Sequence, residues 1–143
     1  MKRFVIIFIS LIVGYALYWC ISDYYYKKDR ERCIVGKYKL DIHRTNLGIY
    51  KKKVEKYKGL ILTFNADKTF SLNISVPFMA DTVGTWKVGG MNEWNEIVYH
   101  NDIIDQFGKF DDGDTIIYIN SPTPQKTYKK PTLINKVFFV RIK

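Results

Sequence analysis

Nineteen consecutive residues, Phe4 to Ser22 (FVIIFISLIVGYALYWCIS), carry no charge. Such a run is costly to leave in water and has to be covered by lipid or protein. Wound as a helix it is roughly 28 Å long, close to the hydrocarbon thickness of a bilayer. Met1-Lys2-Arg3 precedes it as a short basic tail. Tyr18, Trp19, Tyr24, Tyr25 and Tyr26 cluster at its far end, and rings with a polar edge favour the headgroup level. Lys27, Lys28, Arg30 and Arg32 follow at once. The pattern predicts a membrane anchor or signal segment over residues 1–22 and a charged juxtamembrane linker over 23–33. The bilayer is then the first expected partner, through residues 4–22.

Three readings of this segment are open. An uncleaved single-pass anchor fits the whole run. A cleaved signal peptide fits the basic tail, the apolar core and the small residues of Gly14-Tyr15-Ala16. It would, however, leave an apolar, aromatic new terminus. A lipoprotein would acylate Cys20 behind Leu17, with Tyr18 and Trp19 standing where small residues belong. The layout of an export anchor places the domain beyond it on the extracytoplasmic side, whereas the four basic residues after the span count toward the opposite orientation. Cys20 and Cys33 are too far apart along a helix to bridge, and both are expected as thiols.

The chain has 143 residues in all, so the part beyond the anchor suits a single domain. Apolar residues at 47% exclude wholesale disorder, and two cysteines exclude a disulfide-stapled miniprotein. The net charge of +9 comes mainly from Lys, with few Arg and no recognisable nucleic-acid module. It reads as a solvated coat, and no nucleic-acid partner is expected.

From Ile34 onward the periodicity is two. Tyr38, Leu40 and Ile42 alternate with Lys37, Lys39 and Asp41; Leu60, Leu62 and Phe64 alternate with Ile61 and Thr63. Phe70, Leu72, Ile74 and Val76 alternate with Thr69, Ser71, Asn73 and Ser75. The polar tetrapeptide Asn65-Ala66-Asp67-Lys68 between the last two runs is a hairpin signal. Further strands are predicted at Val83–Val88, Glu96–His100, Asp114–Asn120 and Ile134–Ile142, with a weaker one through Ile103–Phe110. Turns are expected at Gly89-Gly90 and Asp111–Asp114, and an exposed loop over Asn120–Pro131 with its three prolines. Leu47, Tyr50, Val54 and Tyr57 instead recur at helical spacing, which predicts a short helix between the first two strands, capped by Asn46 and ended by Gly59. The expected fold is mainly β: an antiparallel meander of about eight strands forming a small barrel or sandwich behind an N-terminal transmembrane helix.

An order of motifs carries a resemblance. Gly36-Lys37-Tyr38 opens the first strand, Leu62-x-Phe64-x-x-Asp67-x-x-Phe70 forms the hairpin, and Gly84-Thr85-Trp86 comes next, with Arg141 in an apolar last strand. Over residues 34–143 this resembles the small bacterial lipocalin-like domains of the calycin group. The resemblance implies a barrel floor closed by Gly36 and Tyr38, with Arg141 packed over the Tyr38 ring. It also implies a ligand pocket, for which the inward rings Tyr38, Phe64, Phe70 and Trp86 are the candidates.

The residues that carry catalysis are not assembled by any spacing in the chain. His43 and His100 lack Cys or carboxylate company at metal-ligand spacing. Asp111, Asp112 and Asp114 around Gly113 do not match a calcium loop. Glu93 and Glu96 beside Trp94 read as surface carboxylates, and the sequon Asn73-Ile74-Ser75 falls inside a predicted strand. No enzyme activity, metal or cofactor is expected. The expected role is a membrane-anchored lipocalin-like domain that binds a small apolar ligand or an envelope protein. The alternative is a membrane-tethered interaction factor of immunity or assembly type, with a filled barrel and no ligand.

Overall fold

A computed structural model describes residues 2–45, 55–90, 95–100, 103–110, 116–121 and 135–142. One helix, α1 (Lys2–Ile34), precedes eight strands: β1 (Gly36–Leu40), β2 (Ile61–Phe64), β3 (Thr69–Leu72), β4 (Val83–Lys87), β5 (Asn95–Tyr99), β6 (Ile104–Phe110), β7 (Ile116–Ser121) and β8 (Asn135–Arg141). Each strand pairs antiparallel with its sequence neighbour, and β8 returns to β1 through Tyr38↔Arg141, Lys39↔Val140 and Leu40↔Phe139. The result is a closed barrel with no sheet edge left unpaired.

The alternation in the sequence decides which side chains turn inward. Tyr38, Leu40, Leu62, Phe64, Phe70, Leu72, Trp86, Ile97, Tyr99, Phe107, Ile117, Ile119, Val137 and Phe139 are all buried, while most of the described residues between them are exposed or half-buried. Eight strands leave an interior just wide enough for side chains to fill. The register also defines two ends. Gly36, Phe64, Thr69, Lys87 and Arg141 lie at the end nearest α1, here the proximal end; Leu40, Ile61, Leu72, Val83, Tyr99 and Ile104 lie at the distal end.

Several expectations are revised. Residues 23–33, read as a linker, are helical and continuous with the apolar span. They hold no Gly or Pro, and Asp23–Lys27 forms an i,i+4 ion pair at 3.0 Å that supports the helix. The strand expected through Val76 stops at Leu72. Asn73 ends it, because its side chain takes over the pairing: Oδ1 accepts from the Ile61 N–H at 2.7 Å and Nδ2 donates to the Gly59 carbonyl at 2.9 Å. The chain then folds over the distal mouth, burying Val76, Phe78 and Met79. The short helix expected over residues 47–57 falls largely outside the described residues; its final turn, Glu55–Tyr57, is 3₁₀, and Tyr57 packs edge-on against Phe78 at 5.4 Å. The weak strand forecast at Ile103–Phe110 is a full member of the barrel. The Asp111–Asp114 turn and most of the proline-containing loop lie outside the described residues.

Gly84 is the tightest point of the wall. A Cβ there would sit 2.2 Å from the Val98 carbonyl oxygen and 2.6 Å from the Phe70 ring. The missing side chain lets Phe70 cross β4 and meet Tyr99 edge-on at 5.5 Å. Gly84→Ala is therefore expected to destabilise the barrel by about 2–3 kcal/mol through overpacking against backbone. A lowered urea midpoint of the full chain in detergent would register it, and an unchanged midpoint would refute the packing assignment.

Candidate functional site

The four rings singled out from the sequence come together in the proximal half of the barrel. Phe64 is their hub. Its ring centroid lies 6.0 Å from Tyr38, 6.5 Å from Phe70, 5.6 Å from Trp86 and 5.3 Å from Phe107, mostly in edge-on or stacked geometry. All are 2% exposed or less. The rings thus spend their surface on one another. Trp86 is held further by its indole N–H, which donates to the Asn65 and Thr69 carbonyls at 3.1 and 3.0 Å across the β2–β3 hairpin.

That hairpin also meets the helix. Lys68 has a positive φ of 70°, a conformation that costs a side-chain-bearing residue some strain. From there its ammonium sits 4.6 Å over the Trp86 ring and pairs with Glu31 of α1. Asp67 shapes the same turn: its carboxylate accepts from the Thr69 hydroxyl at 2.6 Å and N–H at 3.0 Å, which holds its pKa below the usual carboxylate value.

The structure brings Gly36, Tyr38 and Arg141 together at the proximal end, and adds the end of α1 to them. A helix leaves its last carbonyls without intrahelical donors. Here the Tyr38 hydroxyl donates to the Ile34 carbonyl at 2.7 Å, and Arg141 donates to Cys33 at 3.3 Å and Val35 at 2.6 Å. A cation at a helix C-terminus also complements the macrodipole. The Arg141 guanidinium lies 5.8 Å from the Tyr38 ring centroid, and Ile34 is fully buried. Gly36, with φ of 153°, leaves room for the guanidinium, since a Cβ would stand 3.0 Å from Nη2.

A second polar group lies in the distal half and was not singled out from the sequence. Tyr99 on β5 donates its hydroxyl to Asp105 Oδ2 on β6 at 2.6 Å, both inside the barrel. Asp105 Oδ1 is buried and has no hydrogen-bond partner among the described residues. Burial pushes the Asp105 carboxyl up to about 6, partly offset by the Tyr99 hydrogen bond, and burial likewise pushes the Tyr99 hydroxyl up. The signal for this pair was present: Asp105 occupies the same inward parity as Phe107, where an apolar residue belongs.

The remaining candidates stay apart from these two groups. His43 and His100 are exposed. Glu96 pairs with Lys87 at 2.8 Å, while Glu93 lies outside the described residues. Cys20 is exposed on α1 and Cys33 is partly covered at the helix end; neither forms a disulfide. Among the described residues no three His, Cys, Asp or Glu side chains gather as a metal site. The chain is matched by no protein-family model, no curated protein and no solved structure.

The Asp105 pKa makes stability depend on pH with a defined sign. A carboxyl raised from 3.8 to about 6 in the folded state favours folding below pH 4, and that contribution is lost as pH rises through 6. The expected loss is about 2–3 kcal/mol at most, from 1.36 kcal/mol per unit. Thermal unfolding from pH 4 to 7.5 should show this downward trend, and Asp105→Asn should flatten it. A variant profile parallel to the wild type would refute the assignment.

Proposed function

We propose that this chain is a single-pass membrane protein whose lipocalin-like barrel is a non-catalytic interaction module held on the extracytoplasmic side. The observation that carries the reading is the joint between helix and barrel. The helix end is built into the barrel floor by Tyr38, Arg141, Ile34 and the Lys68–Glu31 pair. The first part of α1 is long and apolar enough to cross a bilayer. Its last twelve residues, Asp23 to Ile34, then act as a stalk roughly 18 Å long. A barrel fixed on such a stalk faces the bilayer with its floor and presents its distal end to the aqueous side.

The packed rings favour an interaction factor over a capacious apolar-ligand cup. Tyr38, Phe64, Phe70 and Trp86, the candidate pocket residues, cover one another and occupy the space a ligand body would take. The distal end, by contrast, shows apolar side chains to solvent: Ile74, Val83, Ile103 and Ile104 are 39–52% exposed. Clustered exposed apolar side chains mark surfaces that pair with a partner. The lipocalin-like resemblance supplies the architecture for this reading and leaves the occupant of the distal end to the site itself.

Photo-crosslinking side chains placed at Val83 or Ile104 of the full chain, in its native membranes, test the proposal. Discrete protein adducts at both distal positions and none at the proximal, exposed Lys37 are expected. Absence of adducts at both distal positions would overturn it.

A further inference from the structure

The β3–β4 connection, residues 73–82, lies over the distal mouth with Val76, Phe78 and Met79 buried. Backbone bonds tie its ends to the barrel. The Leu72 N–H donates to the Thr82 carbonyl at 2.7 Å, and the Asn73 N–H donates to the Ile61 carbonyl at 3.2 Å. Its middle is held differently. The Met79 N–H donates to Val76 within the same segment at 3.4 Å, and Phe78 packs edge-on against Tyr57. A segment held by a few buried side chains opens locally at a lower free energy than the strands of a closed sheet.

Asp105 lies beneath this cover, 2% exposed. Its Oδ2 accepts from the Tyr99 hydroxyl at 2.6 Å, and its Oδ1 has no donor among the described residues. The Ala80 backbone lies against that same Tyr99 hydroxyl, so cover and carboxyl meet at one atom. A neutral carboxyl in this place lacks one hydrogen bond. An ionised one lacks the bond and also holds a charge in an apolar interior, which is far costlier. Movement of the cover brings water to Oδ1.

We propose that the β3–β4 connection is a proton-controlled flap, closed over the distal mouth while Asp105 is neutral and released more often once Asp105 ionises. The neighbouring elements leave the control to this one carboxyl. From β5 come Tyr99, Glu96 and His100, from β4 Lys87, from the flap Asp81, and beside the flap Tyr57. Among these described groups Tyr99 alone acts on the Asp105 carboxyl. Glu96 pairs with Lys87 at 2.8 Å, Asp81 accepts from the Thr82 N–H at 2.6 Å, and His100 is exposed. The flap carries Ile74 and ends beside Val83, two exposed apolar residues of the distal end, so its opening alters that surface. The flap goes beyond the interaction reading and does not rest on it.

The sign follows from linkage. Burial pushes the closed-state carboxyl up to about 6, and opening returns it toward 3.8. Closure is favoured below the lower value, and that contribution is lost as pH rises through the higher one. Between pH 5 and 7.5 the opening constant therefore rises about tenfold.

Hydrogen–deuterium exchange of the full chain in detergent, followed by mass spectrometry from pH 4.5 to 8 and corrected for intrinsic exchange rates, tests the flap. Protection of the peptide over residues 74–82 should fall about tenfold from pH 5 to 7.5, while peptides over β2 and β3 keep theirs. Asp105→Asn, with its fold checked by its melting transition, should make flap protection independent of pH. Tyr99→Phe removes the donor to Oδ2 and should move the fall to higher pH. Flap protection that is constant with pH in the wild type, an equal fall in β2 and β3, or an unchanged profile in Asp105→Asn would each overturn the proposal. The wild-type profile decides even if a variant does not fold. None of these results bears on the distal crosslinks, so the two proposals fail separately.

Discussion

The last carbonyls of α1 need donors, and the barrel supplies them from inside its own floor. This requirement organises the proximal end. Arg141 and Tyr38 can reach Cys33, Ile34 and Val35 because β8 and β1 pair through those same two residues. Gly36 leaves room for the guanidinium, and Ile34 fills the space beneath the rings. Helix termination, barrel closure and the attachment of one to the other are therefore one set of contacts. Losing a donor would leave a buried carbonyl unpaired, a larger penalty than the net value of the bond itself.

Above the floor, the interior is divided by chemistry. The proximal half is apolar and ring-filled, with Phe64 touching four other rings. The distal half carries the Tyr99–Asp105 pair under the folded-over β3–β4 connection. Edge-on ring pairs gain beyond simple burial and fix side-chain orientation. A carboxyl with one oxygen unmet among the described residues does the reverse, holding a local cost inside the barrel. The proximal half thus holds the packed rings and the helix joint, and the distal half holds the buried polar pair.

Much of this was legible in the residues. Alternation at Tyr38–Leu40, Leu62–Phe64 and Phe70–Leu72 marked inward faces correctly, and the Asn65–Lys68 tetrapeptide marked the hairpin. The resemblance pointed to Gly36, Tyr38 and Arg141, which the fold brings together. Local patterning failed where a long-range contact decides. Asn73 looked like a strand residue because its neighbours alternate; only the approach of Gly59 and Ile61 turns its side chain into a strand terminator. The charged run after the span looked like a linker, yet nothing in it breaks a helix, and its Glu31 meets Lys68 from a distant hairpin. Asp105 was hidden for a similar reason. An acid in a weakly patterned strand signals a surface until the parity of Phe107 shows which way it points.

This architecture requires α1 and the barrel to move as a single rigid body. Pulsed electron–electron resonance between nitroxides at Lys28 on the stalk and Thr85 on β4, both exposed, tests this most directly in the full chain with Cys20 and Cys33 changed to Ser. A clasped joint gives one narrow distance distribution, unaltered between detergent and lipid. A broad or multimodal distribution would show a barrel swinging on a loose tether and would contradict the clasp.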